Sequence, residues 1–320
     1  MPGQRLSLDE REEIRAGLER GDSAAEIARV LERPTSTVTR EVRRNGGGDR
    51  YRAVAAQRRA AECARRPKPS RLALDPALTD RISVCFAKGW SPAPIAAHLT
   101  AAGIAISHET IYRELYRPDT VFGDQWKDLC RPRPTKKRRR RTRTGRDSKP
   151  LGPIVLVQHR TADIHTEAGH WEGDLICGSA STSAAVVLTE RTSRRTLLGA
   201  LTSQTAAEVG PVVVRLLAEV PPQLRLTLCW DQGRELARWP TIAAALSIDV
   251  YFCQPRSPWQ KPLVENTCGH LRRWLPKKAN LYLPQHHLDT IAHNLNTMPR
   301  RSLMWDTPNH TWDALVATTM

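Results

Sequence analysis

Apolar residues at helical spacing run through residues 8–45 and predict three short helices. Leu8 and Ile14 begin the first stripe, and Ser23 can cap a second helix that places Ile27 inward. Pro34 breaks the pattern before a third helix, expected over about residues 36–45. A short helix, a break and a second helix are the arrangement of a helix-turn-helix domain.

The third predicted helix separates an apolar face from a basic one. Val38 and Val42 lie four residues apart and are expected in the core. In a helix-turn-helix the outward face of this helix enters the major groove, where Arg side chains bind guanine edges or phosphates. A plain three-helix bundle with a solvated basic face is the alternative. The predicted DNA contacts of this helix are Thr37, Arg40, Arg43 and Arg44.

A second helical unit follows a basic, Ala-rich helix predicted over residues 51–66. Leu78 and Ile82 mark its first helix, Ser91 and Pro92 are expected to supply a cap and a first-turn proline for the next, and Ser107 can cap the last. This unit repeats the order of the first with fewer basic residues, so DNA binding and simple packing or dimerisation are both open. We therefore divide this part of the chain into domains over 1–66 and 67–129. The candidate DNA contacts of the second domain are His108, Thr110 and Arg113.

Residues 130–150 are dominated by positive charge. The segment contains 11 Lys and Arg against one Asp, in a chain whose formal net charge is +16 and whose pI is near 10.1. Such a block repels itself and cannot bury a core, so it predicts a disordered linker that binds DNA phosphates without sequence preference. The linker residues expected to contact DNA are Lys136, Lys137, Arg138, Arg139, Arg140 and Arg141.

Beyond residue 150 the pattern changes to alternating strands and helices. Strands are predicted around residue 174 and over 184–189, 196–201, 224–230 and 249–253, with a charged hairpin turn over 190–195. Helices are predicted over 206–220, over 236–246 and around residue 265. This order predicts a mixed α/β domain over residues 151–320.

Three acidic residues in this domain suggest a metal site. Asp174 lies in one predicted strand, and Asp231 directly follows another that is expected to lie beside it and to bring the two acids together. Glu265 lies in a segment with helical spacing. Hard Mg²⁺ ions need oxygen ligands but keep water and substrate phosphate in their remaining positions, so few carboxylates suffice. Two such ions can drive an in-line phosphoryl displacement, which is the chemistry of cutting and joining nucleic-acid strands.

The local sequences around these acids resemble the IS-thirty family of bacterial insertion-sequence transposases. The shared motifs are HWEGDL around Asp174, Asp-x-Gly-x-Glu from Asp231 to Glu235, and SPWQ, ENT-x-G and LPK around Glu265. The spacing of 33 residues between Asp231 and Glu265 also fits the family.

The resemblance implies a multidomain protein with an all-α helix-turn-helix N-terminal region and an α/β ribonuclease-H-like (integrase catalytic core) domain. It implies that Asp174, Asp231 and Glu265 are catalytic and bind two Mg²⁺ ions, with Mn²⁺ as a substitute. The implied function is binding of the terminal inverted repeats of an insertion sequence, followed by cleavage and strand transfer into target DNA. Two ends must meet, so a homodimer or larger synaptic complex is expected.

Four residues depart from the family pattern, and they leave the three acids in place. Because they change the neighbours of those acids, a non-catalytic DNA-binding protein, such as a repressor or a decayed transposase, is the alternative function. The four residues are Gln232, Pro262, Val264 and Cys268.

Other residues near the acids receive supporting roles. Glu172 and Glu235 are expected to be structural rather than metal ligands, and Trp259 is expected to fill the core rather than contact a base. Basic residues bordering the Glu265 helix are candidate contacts to the DNA ends, with a solvated basic face as the alternative. They are Lys261, Arg272 and Arg273.

The composition argues against a membrane partner. No window of about 18 apolar residues occurs, and the first residues lack the apolar core of a secretory signal. The seven cysteines include no C-x-x-C pair, so a zinc knuckle is not expected. We expect a cytoplasmic protein associated with the bacterial nucleoid.

Overall fold

The computed structural model describes residues 5–65, 69–123, 126, 153–160, 167–179, 183–255 and 257–319. The predicted linker contacts Lys136, Lys137, Arg138, Arg139, Arg140 and Arg141 lie outside the described residues. The chain forms two compact units, Met1–Ser70 and Arg71–Met320.

The described part of the first unit forms four helices: α1 (Leu8–Arg20), α2 (Ala24–Val30), α3 (Thr35–Arg44) and α4 (Ala53–Arg65). Ser7 and Ser23 each form a capping box with the Glu three residues later, which satisfies free amides at the starts of α1 and α2. The predicted helices over residues 8–45 and the cap at Ser23 are therefore confirmed.

A small apolar core and one buried ionic group hold the first unit together. Ile14, Ile27 and Val38 are buried in that core. The Arg11 guanidinium is 4% exposed and donates to the carboxylate of Glu41 on α3 at 2.7 Å and to Gln57 on α4 at 2.6 Å. Because a buried charge needs such partners, Arg11 fixes the position of α1 against α3 and α4.

The second unit begins with three helices: α5 (Pro76–Ala87), α6 (Pro92–Ala101) and α7 (His108–Leu115). Asp75 and Ser107 cap α5 and α7 through side-chain oxygens, and Pro92 occupies the first turn of α6. The Ser91 side chain makes no capping hydrogen bond, so that part of the expectation is wrong although the helix begins where predicted.

A mixed sheet of six strands forms the centre of the second unit. Its strands are β1 (Val155–Leu156), β2 (His170–Cys177), β3 (Ala184–Glu190), β4 (Thr196–Ala200), β5 (Thr227–Trp230) and β6 (Asp249–Phe252), in the order β1-β6-β5-β2-β3-β4. The strands β2, β3 and β4 run antiparallel, while β5 is parallel to β2 and to β6. The predicted α/β layer is confirmed.

Among the described residues, five helices accompany the sheet: α8 (Ala206–Ala218), α9 (Trp239–Leu246), α10 (Pro262–Leu271), α11 (Gln285–Asn296) and α12 (Pro308–Thr319). The sequence did not predict α11, α12 or β1. The expected strand over 224–230 starts only at Thr227, because residues Pro222–Leu224 form a 3-10 turn. Among the described residues no helix is long and apolar enough to span a bilayer.

Alternating residues of β3 face two separate apolar cores. Val186 and Leu188 pack with residues of α8, α9 and α12. Ala185 and Val187 pack with α10, α11 and the helices α5 to α7. The indole of Trp90, after α5, also donates to the Asn294 carbonyl of α11 at 3.0 Å. The helices α5 to α7 therefore share a core with the sheet.

Candidate active site

Asp174 lies on β2 at the point where the neighbouring parallel strand ends. The strand β5 pairs with β2 only over residues His170 to Glu172, so Asp174 is not covered by a paired residue on that side. Its side chain is 26% exposed, and its Oδ1 accepts a hydrogen bond from the following amide at 2.9 Å. Asp174 is therefore anchored to the sheet and still reachable by a small ion.

Asp231 follows the last residue of β5 and lies beside the same end of β2. Its Oδ1 accepts a hydrogen bond from the Gly233 amide at 3.3 Å, and its side chain is 48% exposed. The ring of Trp230, the last residue of β5, packs against Gly173 of β2, where a Cβ would lie 2.1 Å from the ring. The glycine between Glu172 and Asp174 thus lets β2 and the end of β5 approach closely.

The two aspartates converge on one buried ammonium group. The Lys261 Nζ lies 3.1 Å from Asp174 Oδ2 and 3.4 Å from Asp231 Oδ2, and the lysine side chain is 6% exposed. The sequence placed Lys261 among the DNA contacts; in the structure its ammonium lies between the predicted metal ligands. DNA contact by Lys261 remains a prediction.

Charge and burial shift the pKa values of this group. Burial raises the pKa of Asp174, repulsion from Asp231 adds to the increase, and the Lys261 ammonium opposes it. Burial disfavours the charged form of Lys261, but the two carboxylates outweigh it and raise the pKa of the lysine. Burial and the charge of Asp231 also raise the pKa of Glu235. The ammonium is thus the group that stabilises the acidic cluster.

Glu172 fixes the start of the helix that carries Glu265. Its buried carboxylate accepts the Leu263 amide at 2.9 Å and the Val264 amide at 3.0 Å, and its other oxygen is ion-paired with Arg191. Helix starts leave such amides without intrahelical partners, so a buried anion is favoured there. Glu172 was expected to be structural, and these contacts give it the role of a cap for α10.

Glu265 is exposed on the first turn of α10, and its amide donates to the Lys261 carbonyl. Cys268 follows one turn later, and burial raises the pKa of its thiol to about 12. Among the residues that the structure describes, no group of three or more His, Cys, Asp or Glu side chains is close enough to hold a metal ion. Asp174 and Asp231 are therefore brought together, and Glu265 is not part of that pair.

The aspartate pair has the donor chemistry of a divalent-metal site. Two carboxylates already converge on one positive charge, and carboxylate oxygens are the ligands that Mg²⁺ and Mn²⁺ prefer. Asp174 and Asp231 would hold the ion, and Glu265 would have to reach it from the first turn of α10.

The predicted basic contacts around α10 make internal hydrogen bonds. Arg272 donates to the Cys177 carbonyl at 2.8 Å, and Arg273 donates to the Gly89 carbonyl at 2.7 Å. Gly89 has φ +75°, and a Cβ there would lie 2.4 Å from the Trp274 ring. Arg273 therefore helps to hold the second helical unit on the sheet domain; DNA contact by either arginine remains a prediction.

Trp259 contradicts the expectation that it fills the core. Its side chain is 70% exposed, in the 3-10 turn Pro258–Gln260 that precedes Lys261. The reason is local: Val264 and Leu271 supply the buried face of α10, while the preceding turn stays at the surface.

The predicted DNA contacts of the helical units lie on accessible faces. Arg40, Arg43 and Arg44 are exposed on α3 and Thr37 is half-buried, while Val38 is fully buried on the opposite side. On α7, His108 and Arg113 are exposed and Thr110 is half-buried. The faces are available as predicted, and their contact with DNA is untested by the structure.

Comparison with known proteins matches both parts of the chain. Residues 3–45 match a helix-turn-helix domain family, and residues 165–258 match the integrase core domain. The chain is 37% identical to the transposase InsI for insertion sequence element IS30A of Escherichia coli (strain K12), over 98% of this chain and 85% of the relative. It belongs to the IS30 (IS-thirty) family of insertion-sequence transposases. The sequence resemblance is thereby confirmed, and so is the pairing of a helix-turn-helix region with an integrase core.

Other relatives extend the same picture. The transposase for insertion sequence element IS1086 of Cupriavidus metallidurans is 37% identical to this IS30-family chain, over 95% of this chain and 93% of the relative. Among solved structures, the catalytic core domain of BIV integrase has a TM-score of 0.38 at 18% identity, covering 48% of this chain and 98% of that one.

The departures from the IS30-family motif have visible structural roles. Gln232 donates from its side-chain amide to the Cys253 carbonyl at 3.0 Å, which ties the turn after β5 to the end of β6. Pro262 occupies the first turn of α10, and Val264 is fully buried. These residues fit the fold without disturbing the Asp174 and Asp231 pair.

Proposed function

We propose that this chain cuts and joins DNA strands in a divalent-metal-dependent reaction during transposition of an insertion sequence. Family membership and the integrase core domain support transposition and integration of DNA. The observation that carries the enzymatic part of the proposal is the convergence of Asp174 and Asp231, from neighbouring strands, on a single cation.

The acidic residues of the candidate active site would have distinct roles at the reacting phosphodiester. Asp174 and Asp231 would hold the divalent metal, and Glu265 would complete the site from α10, whose start is fixed by Glu172. Two divalent ions, Mg²⁺ or Mn²⁺, would activate the attacking oxygen and stabilise the leaving one. Water first cleaves the phosphodiester at the element end, and the freed 3′-hydroxyl then attacks a target phosphodiester. No covalent protein–DNA intermediate is required.

Recognition of the element ends is assigned to the helical units. The exposed arginines of α3 would read the terminal inverted repeats in the major groove, and the α7 residues His108, Thr110 and Arg113 would add contacts. The basic residues 136–141 would bind phosphates. Since two ends must be cut and joined together, we expect a homodimer or larger complex.

Asp231→Asn tests the proposal, because it keeps the size of the side chain and removes the charge that binds metal. We expect cleavage of a labelled duplex carrying the element end to fall by at least about 1,000-fold, since metal ligands support several kcal/mol of transition-state stabilisation. Gel-shift affinity for the same duplex should stay within about twofold, because α3 is unchanged.

The alternative, a non-catalytic DNA-binding protein, gives a different result in the same assay. The exposed position of Glu265 outside the aspartate pair is the observation in its favour. Specific binding by the wild-type chain without any metal-dependent nicking would support that alternative. Equal loss of binding and cleavage in Asp231→Asn would remove the catalytic role of Asp231.

A further inference from the structure

The Lys261 ammonium lies at the point where two proposed metal ligands converge. Its distances of 3.1 Å to Asp174 Oδ2 and 3.4 Å to Asp231 Oδ2 are those of an ion pair, and the residue is only 5% exposed. An exposed lysine could leave such a contact at little cost, but this side chain is enclosed by the protein.

The backbone on both sides of Lys261 is anchored, which makes this placement a built feature of the site. Before it, the Gln260 amide donates to the Ser257 carbonyl at 3.1 Å, and the Gln260 side chain accepts the Gln254 amide at 2.6 Å. After it, Glu172 accepts the amides of Leu263 and Val264 at the start of α10. The lysine backbone is thus fixed, and only its flexible four-carbon side chain can move the ammonium.

A divalent ion and this ammonium need the same oxygen atoms. A metal bound by both aspartates would lie about 2.1 Å from the ligand oxygens, in the space that Nζ approaches from 3.1 and 3.4 Å. Two cations at such separation repel strongly. Lys261 and the metal are therefore alternatives at the aspartate pair.

We infer that Lys261 is an internal counterion that competes with the divalent metal for Asp174 and Asp231. It holds the two carboxylates together until a metal replaces the ammonium, and it lowers the affinity for that metal. Lys261 directly precedes α10, and its carbonyl accepts the amide of Glu265, so its backbone is tied to the first turn of the helix that carries the third proposed ligand. This inference rests on the proposed metal-dependent function and assigns Lys261 a positioning role.

The test is Mn²⁺ binding to the full chain without DNA, measured by electron paramagnetic resonance and by titration calorimetry. Lys261→Met keeps the side-chain length and removes the charge. Lys261→Gln removes the charge with a shorter polar side chain, and Lys261→Arg keeps the charge. The matched control is Lys278→Met, which removes one positive charge from an exposed residue. Asp174→Asn shows whether the bound Mn²⁺ is at this site.

We expect Lys261→Met and Lys261→Gln to bind Mn²⁺ about tenfold more tightly or better, because the competing charge is gone. Lys261→Arg and Lys278→Met should stay within about threefold of wild type. Suppose that the wild-type chain binds Mn²⁺, that Asp174→Asn does not, and that both uncharged Lys261 variants bind it no more tightly than wild type. This result would overturn the counterion role alone. Absence of Mn²⁺ binding in wild type and variants would overturn the proposed metal site, and the inference with it.

Discussion

The exposed arginines of α3 in the first compact unit contrast with two enclosed charged residues beside the candidate active site in the second. In Met1–Ser70 the arginines of α3 are exposed and have solvent on their outward side. In Arg71–Met320 the two charged residues that support the aspartate pair and the start of α10, Lys261 and Glu172, are nearly inaccessible and held by named partners. Exposed charges are available to a partner outside the chain, whereas enclosed charges position one another. Recognition and chemistry should therefore be separable by mutation.

The two helical regions, α1 to α4 and α5 to α7, share a sequence pattern but bury their apolar residues in different kinds of core. Both have capped short helices with inward apolar residues, and the first buries them in a core of its own around Ile14 and Val38. The second places Ile82, Ile95 and Ile111 in the core that covers one face of the sheet. A repeated helical pattern thus does not imply a second independent domain.

The largest expected effect comes from Trp90→Ala, which tests whether the second helical unit is part of the sheet domain. Trp90 is 2% exposed and donates to Asn294, so its loss should cost the second unit about 3–5 kcal/mol of unfolding free energy. All nine tryptophans lie beyond residue 70, so their fluorescence in a urea titration reports on this unit. Ile14→Ala is the control; it should destabilise only the first unit. An unchanged fluorescence midpoint for Trp90→Ala would contradict the shared core.

A smaller effect is expected for Glu172→Ala, which tests the anchoring of α10. Removing the carboxylate leaves Arg191 and two helix amides without this partner, which should lower the stability of the second unit by about 3 kcal/mol. Glu172→Gln should lose less, because its amide oxygen can still accept a hydrogen bond. The control is Glu219→Ala, an exposed acid at the end of α8, for which we expect little change. Wild-type stability in Glu172→Ala would show that α10 is held by other contacts.

The smallest of the three effects concerns the exposed face of α3. The double variant Arg40→Ala, Arg43→Ala should weaken binding to the element end by about 100-fold, because each base contact is worth about 1–3 kcal/mol. Mn²⁺ binding and tryptophan-reported stability should not change. Arg20→Ala, Arg29→Ala removes the same charge from exposed positions of α1 and α2 and should change affinity by only a few fold. Equal losses in both double variants would mean that net charge, not the face of α3, determines affinity.

The sequence predicts much of this architecture because its periodicity changes where the fold changes. Helical spacing locates α1 to α3, Ser23 marks the start of α2, and apolar runs locate β3 and β6. The meeting of Asp174 and Asp231 was also predictable, since each acid lies at or after a strand and β5 was expected to lie beside β2.

The remaining features depend on contacts between distant residues. Helical periodicity identifies the buried face of α5 to α7 but not the surface that covers it. A lysine before a proline gives no sign of where its ammonium will lie. Glu172 differs from a surface acid only through contacts made in the fold, with the amides of Leu263 and Val264 and with Arg191. The helix α11 was missed because Leu288 and Leu295 lie among His and Asn residues that weaken the apolar stripe.

The most direct test of the central claim is strand cleavage of a labelled duplex that carries the element end. The reaction is run with Mg²⁺, with Mn²⁺ and with a chelator, for the wild-type chain and for Glu265→Gln. We predict nicking at the element boundary with either metal, none with the chelator, and a loss of at least about 100-fold in the variant at equal DNA binding. Specific binding without metal-dependent nicking, or full activity in Glu265→Gln, would contradict the assignment of the three acids as the catalytic site.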